Sequence, residues 1–246
     1  MLRSLVLAIL LHAAPMAQHM HAQGLEGVVV ETYHQQRIGD DTLTTYRIWI
    51  DLAEHHSLQM VFGSVDHPLR IETTTEFFND TVHGVKYADR LDADLLDQWP
   101  LAYDSWLTVS AASDKHHAVP LDSDADGSVL RAKKHGKLLR SRDGLKAADV
   151  KQVVDFKMDP GYLGNIRGGT ILCTDCAWSV LGGIMGATPE NKVLIAQIST
   201  TGVLSYELNV HVGKQGGGFL RYVGVNPQGD EVLHEALRKL PARLLP

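Results

Sequence analysis

Residues 44–52 read Thr-Thr-Tyr-Arg-Ile-Trp-Ile-Asp-Leu, with Tyr46, Ile48 and Ile50 on one parity and Thr45, Arg47 and Trp49 on the other. A repeat of two is the period of an extended strand, whose successive side chains leave opposite faces. A helix repeats at 3.6. The pattern returns at residues 27–33, 58–62, 69–77, 105–110, 192–199 and 203–212. β-Branched and aromatic residues dominate these runs, and both suit a pleated, half-buried surface. Residues 63–68, Gly-Ser-Val-Asp-His-Pro, supply a turn between two of them. Thr200-Thr201-Gly202 separates the last two runs and predicts a hairpin there. In its first strand Val193, Ile195 and Gln197 share one face and Leu194, Ala196 and Ile198 the other; both are largely apolar, so this strand is expected to be covered on both sides. In its second strand Leu204, Tyr206, Leu208, Val210 and Val212 are expected to face the core. Ser205, Glu207, Asn209 and His211 are expected to face solvent. Many short strands broken by turns predict an all-β chain, a single antiparallel β-sandwich or jelly-roll-like domain over residues 23–246.

One or two short helices are expected beside the strands, at residues 88–98 and 230–240. In the second, Val232, Leu233, Ala236, Leu237 and Leu240 fall at helical spacing. Residues 146–156 fit helix or strand. Residues 114–149 are charged, with few large apolar side chains, and predict a loop-rich insertion.

Residues 1–22 have another grammar. Arg3 precedes the apolar run Leu5-Val6-Leu7-Ala8-Ile9-Leu10-Leu11, and small residues follow up to Ala22. Basic start, short apolar core and small residue at the cut define a secretory signal peptide, with cleavage expected between Ala22 and Gln23. The apolar run falls short of the about 20 residues that span a bilayer. The expected location is therefore secreted or cell-surface, with no stable membrane anchor after cleavage.

Two cysteines, Cys173 and Cys176, stand in a Cys-x-x-Cys. In an oxidising compartment this spacing predicts a local disulfide that pins a turn. A zinc site would need a second such pair or nearby histidines, and the next histidine is His211. A redox centre would open a helix, whereas Trp178-Ser179-Val180-Leu181-Gly182-Gly183 follows here. The formal charge of −6 argues against a nucleic-acid partner, which requires clustered Lys and Arg.

The runs TYRIWIDL (45–52), MVFGSVDHPLRIETTTEFFND (60–80), YDSWLTVS (103–110), KVLIAQISTTGVLSYELNVHV (192–212) and YVGVNPQGDE (222–231) resemble an uncharacterised family of secreted, mainly-β proteins, mostly from Bacteroidota. The likeness is collinear over most of the chain. It implies a mainly-β, surface or extracellular protein, and it adds no catalytic residue, because the family has no assigned activity. Members often carry a type IX sorting tail after this domain; this sequence ends at Leu244-Leu245-Pro246 without one.

Asp122, Asp124 and Asp126, followed by Gly127, match the first half of a calcium loop. Lys133 stands where the twelfth-position Glu should be, so calcium is expected only if another loop adds ligands. No other cofactor is expected. Trp49 is the ligand-stacking candidate, because it alternates with Ile48 and Ile50. No Gly-x-Ser-x-Gly surrounds Ser105. Glu72, Glu76, Asp80 and Glu207 are acids that a glycosidase could use, with no spacing that pairs them. The expected function is a secreted or surface-exposed binding or structural module, whose partner is a carbohydrate or another surface protein. The alternative is a secreted glycan-acting hydrolase, which needs a pocket with two converging carboxylates or a Ser-His pair.

Overall fold

The computed structural model describes residues 24–96, 100–124, 144–158 and 168–240. Residues 1–22, Gln23, Trp99 and Asp126 lie outside these. The strands are β1 (Leu25–Ile38), β2 (Asp41–Leu52), β3 (Ser57–Gly63), β4 (Leu69–Thr73), β5 (Trp106–Leu107), β6 (Ala111–Ser113), β7 (His116–His117), β8 (Leu145–Lys146) and β9 (Val153–Phe156). They continue with β10 (Thr170–Cys173), β11 (Cys176–Ile184), β12 (Lys192–Thr200), β13 (Leu204–Glu207), β14 (Asn209–Gly213), β15 (Phe219–Val223), β16 (Val232–Leu233) and β17 (Arg238–Lys239). The chain is mainly β, and its ladders are antiparallel except for β15 with β16.

Among the described residues hydrogen bonding divides the strands into four sheets, where a simple sandwich has two. The first has the order β1-β2-β12-β5. Gly39, at φ +62°, turns the chain from β1 into β2 at no steric cost. Both faces of β12 are apolar, and both are buried as the sequence predicts. Ile48, Ile50, Val193 and Ile195 face the main core. Trp49 and Leu194 face a second cluster with Ala88, Trp106, Ala111, Ala112 and Ala118. The described start of the segment expected as a loop-rich insertion, 114–149, contributes Ala118 to that cluster. His116–His117 pairs with β6 and β8, and Ala118 and Val119 are buried, so this part of the segment roofs the first sheet.

The second sheet has the order β10-β4-β13-β17 and the third β16-β15-β14-β3-β11-β9. Three consecutive pairs, β3 with β4, β10 with β11 and β13 with β14, occupy matching places in the two orders. The same three stretches of chain thus run through both sheets, bending at residues 64–68, at Thr174-Asp175 and at Leu208. Strands that bend from one sheet into the next make the corners of packed β structures. Side chains from the first three sheets meet in one core, among them Ile48, Val61, Ile71, Trp178, Ile198 and Leu208.

The hairpin expected at residues 192–212 does not form. β12 already has β2 on one edge and β5 on the other, so β13 pairs with β4 in the second sheet. The Thr200–Gly202 turn instead carries the chain between sheets. It docks through Thr75 Oγ1 to Thr200 Oγ1 at 2.8 Å and Val203 N to Thr74 Oγ1 at 3.0 Å. Leu204, Tyr206, Leu208, Val210 and Val212 are buried as expected. Ser205 and Asn209, expected in solvent, are buried too. Asn209 Nδ2 donates to the carbonyls of Phe62 (3.3 Å) and His67 (2.9 Å), which satisfies the amide and ties β14 to the 64–68 bend.

Neither expected helix forms. Ala88–Arg90, Ala93–Leu95 and Glu235–Leu237 are single 3₁₀ turns. In the tail, pairing wins over periodicity: Val232 joins Tyr222, and Lys239 joins Tyr206.

Candidate functional site

The outer face of the third sheet follows from its register. Phe156 lies opposite Ala177, and Ala177 opposite Phe62. The next row in the same orientation runs Val154, Ser179, Met60, His211, Arg221. Between these rows Trp178, Val61, Val210 and Tyr222 point into the core. The alternation of strands therefore sends Phe62, Phe156, His211 and Arg221 outward together. Phe219, two residues from Arg221 on β15, shares that face. Phe156 is 55% exposed and Phe219 53%. On β11 the small Ala177 and Ser179 lie between the larger side chains of β3 and β9, leaving a trough. A cavity of about 270 Å³ opens there, lined by Phe62, Phe156, Asp175, Ala177, His211 and Arg221 among others.

Charged groups frame it. The His211 ring sits between Phe62, with centroids 4.7 Å apart, and Phe219, stacked at 4.6 Å. Arg221 Nε donates to His211 Nε2 at 3.2 Å, and Arg221 Nη1 donates to Glu231 Oε1 at 3.2 Å. Glu231 Oε2 meets His67 Nε2 at 2.7 Å and accepts from Gln228 N at 2.8 Å. Burial alone would raise the Glu231 carboxyl. The Gln228 N–H, Arg221 and His67 outweigh it and hold the group below the usual range. At the other end Lys157 Nζ pairs with Asp175 Oδ2 at 2.6 Å and lies 5.2 Å from the centre of the Phe156 ring. Cys173 and Cys176 are joined in a disulfide across the turn that presents Asp175.

Burial, with Arg221 close by, lowers the His211 pKa from 6.5 to about 4. The folded protein thus keeps this ring neutral where the unfolded chain would protonate it. Its contribution to stability is whole above pH 6.5 and is lost as pH falls towards 4. His211→Gln should therefore lose less stability than the wild type between pH 6.5 and 4, as measured by urea unfolding at each pH. An NMR titration of wild-type His211 with a midpoint near 6.5 would contradict this.

The sequence-derived candidates lie elsewhere. Trp49 is fully buried under the 86–121 segment, and its Nε1 donates to Glu31 Oε2 at 3.3 Å, so it offers no ring for stacking. Asp122 and Asp124 lie in a 3₁₀ turn, where Asp122 Oδ2 pairs with Lys192 Nζ at 3.3 Å; Asp126 lies outside the described residues. No group of three metal-ligating side chains occurs among the described residues. Ser105 Oγ donates to the Phe78 carbonyl at 2.7 Å and accepts from Ser199 N at 3.0 Å, a structural clamp in the interior. Its neighbour Asp104 accepts from the N–H groups of Asp80 and Val85, and burial pushes its pKa up to about 7. Glu72 and Glu207 are engaged with Arg70 and Arg238, away from the cavity. None of Phe62, Phe156, Phe219 and Arg221 is among the sequence-derived candidates, and His211 is only an expected surface residue there.

Among the described residues no helix is long and apolar enough to cross a membrane. The chain matches no family model, no curated protein and no solved structure.

Proposed function

We propose that this chain is a secreted or cell-surface binding module whose ligand face is the outer face of the third sheet. The fold that carries it is a β-sandwich, with the first sheet as one layer and the bent second and third sheets as the other. The observation that carries the proposal is the exposure of Phe156 and Phe219 beside the His211–Arg221 pair on one continuous sheet surface. Apolar rings clustered on a solvated face, rimmed by polar groups, are a mark of binding surfaces. A carbohydrate is the favoured ligand, since sugar faces are apolar and their edges are hydroxylated.

A hydrolase acting at the same place needs two carboxylates flanking the bond. Among the described residues Asp175 is the one acid lining the cavity, and Lys157 already holds it. The geometry therefore favours binding. The test is a glycan array probed with the chain from Gln23 onward, with and without calcium. Phe156→Ala and Phe219→Ala should each weaken binding while their thermal melts match the wild type. Binding untouched by both would remove this face from consideration.

A further inference from the structure

A second, larger hollow lies where the tail crosses from the third sheet to the second. The chain leaves β15 at Val223, returns as β16, makes the 3₁₀ turn Glu235–Leu237 and reaches β17. A cleft of about 650 Å³ opens there, bordered by residues 224–226 on one side and 238–240 on the other. That volume lies within the roughly 300–1,000 Å³ of sites that take small ligands. Both walls are anchored. Gly224 N donates to Asn209 Oδ1 at 3.5 Å, and His234 N to the Val223 carbonyl at 3.0 Å. On the far side Leu208 N donates to the Leu237 carbonyl at 2.8 Å.

Three properties meet in this cleft. One is a strand edge. β17 ends the second sheet and, among the described residues, pairs with β13 alone. Arg238, Lys239 and Leu240 all border the cleft. Successive side chains of a strand leave opposite faces, so what three consecutive residues share is the edge, with its unpaired N–H and C=O groups. The second property is charge. Arg238 stands opposite Glu207 and Lys239 opposite Tyr206, so the register sets one cation on each face of that edge. Arg238 Nε lies 3.4 Å from Glu207 Oε2, which leaves both Nη groups as donors. Among the described residues no carboxylate pairs with Lys239. The third is an apolar wall: Leu233, 48% exposed, beside the half-buried Val225 and Leu240.

A strand edge suits an amide backbone, the cations suit an anion, and the apolar wall suits a hydrocarbon side chain. A lipid-like anion lacks the amides, and a phosphate lacks the hydrocarbon. The end of a peptide brings all three. Glu235 borders the same cleft and repels a second negative charge, so a single carboxylate fits best. We propose that this cleft binds the C-terminal end of an extended peptide. The peptide backbone adds to the edge of β17, its carboxylate meets Arg238 and Lys239, and its apolar last side chain packs on Leu233. At about 3.3 Å per residue, the stretch from Arg238 to Leu240 offers room for about three peptide residues. This site is separate from the glycan face proposed above and does not depend on it.

An NMR titration of the chain from Gln23 onward tests it, with N-acetyl-Ala-Ala-Leu as the probe and the same peptide ending in an amide as its partner. The acid should shift the backbone amide signals of Leu233, Arg238 and Lys239. The amide should bind about tenfold more weakly, the scale of one charge-assisted hydrogen bond. Lys239→Glu should weaken the acid about tenfold, leave the amide as it was and keep the wild-type melting temperature. Leu233→Ser should weaken both peptides. Unshifted signals at these three residues, equal affinity for acid and amide, or a Leu233→Ser variant that binds like the wild type would each overturn the proposal. Hexanoate is the control. If it shifts the same signals at the same concentrations as the acid peptide, the cleft takes any apolar carboxylate and strand addition falls.

Discussion

A chain carrying Leu208→Asp should not fold. Leu208 is fully buried at the point where β13 bends into β14, and its backbone N–H donates to the Leu237 carbonyl at 2.8 Å. The side chain joins the core shared by three sheets. An aspartate there places an unpaired charge in apolar surroundings, at a cost that matches or exceeds the about 5–15 kcal/mol stability of an ordinary domain. Circular dichroism should show no cooperative melt. Glu207→Lys, one residue earlier, is the control. Glu207 is half-buried beside Arg238 at 3.4 Å, and reversing its charge should change stability by about 0.5 kcal/mol. If Glu207→Lys is the destructive variant instead, the inward face of this strand is misassigned by one residue.

Trp49→Ala should destabilise the protein by about 3–5 kcal/mol and leave the proposed glycan binding intact wherever the protein remains folded. The indole fills the layer between the first sheet and the 86–121 segment, against Trp106 and Leu194. Its removal opens a large cavity and strands Glu31, whose Oε2 loses the indole N–H. Denaturant melts measure the first effect, and the array at low temperature measures the second. Loss of binding without loss of stability would return Trp49 to the surface role that its alternation first suggested.

The strands were legible wherever one parity was plainly apolar. β2 and β12 declared themselves, and β12 even showed that both its faces are covered. Partner choice was not legible. Thr200-Thr201-Gly202 has the composition of a hairpin loop, yet whether β12 has a free edge depends on β2 and β5, which lie far off in sequence. The tail failed for a related reason: spacing that suits a helix over 230–240 was overridden by pairing with β13 and β15. Trp49 and Phe156 show why the site was hidden. A tryptophan opposed to isoleucines looks exposed until a second layer is known to lie over it. A phenylalanine in an ambiguous run looks ordinary until the register sets Ala177 beside it. Exposure is a property of the assembled sheets, and no single strand carries it.

The order in which the sheets become complete has a consequence for folding in time. The first sheet lacks its centre until β12 is made, and the second and third lack strands until β13, β14 and β15 follow. Thr44 gains its second cross-strand partner, Thr200, and Val61 its second, Val210, only when these late strands are made. Such distant partners make collapse to the native state slow. A chain emerging from the ribosome cannot close this core until its last third has been synthesised. If the protein is exported as proposed above, that delay favours an open polypeptide, the state a translocation channel accepts, over a premature fold.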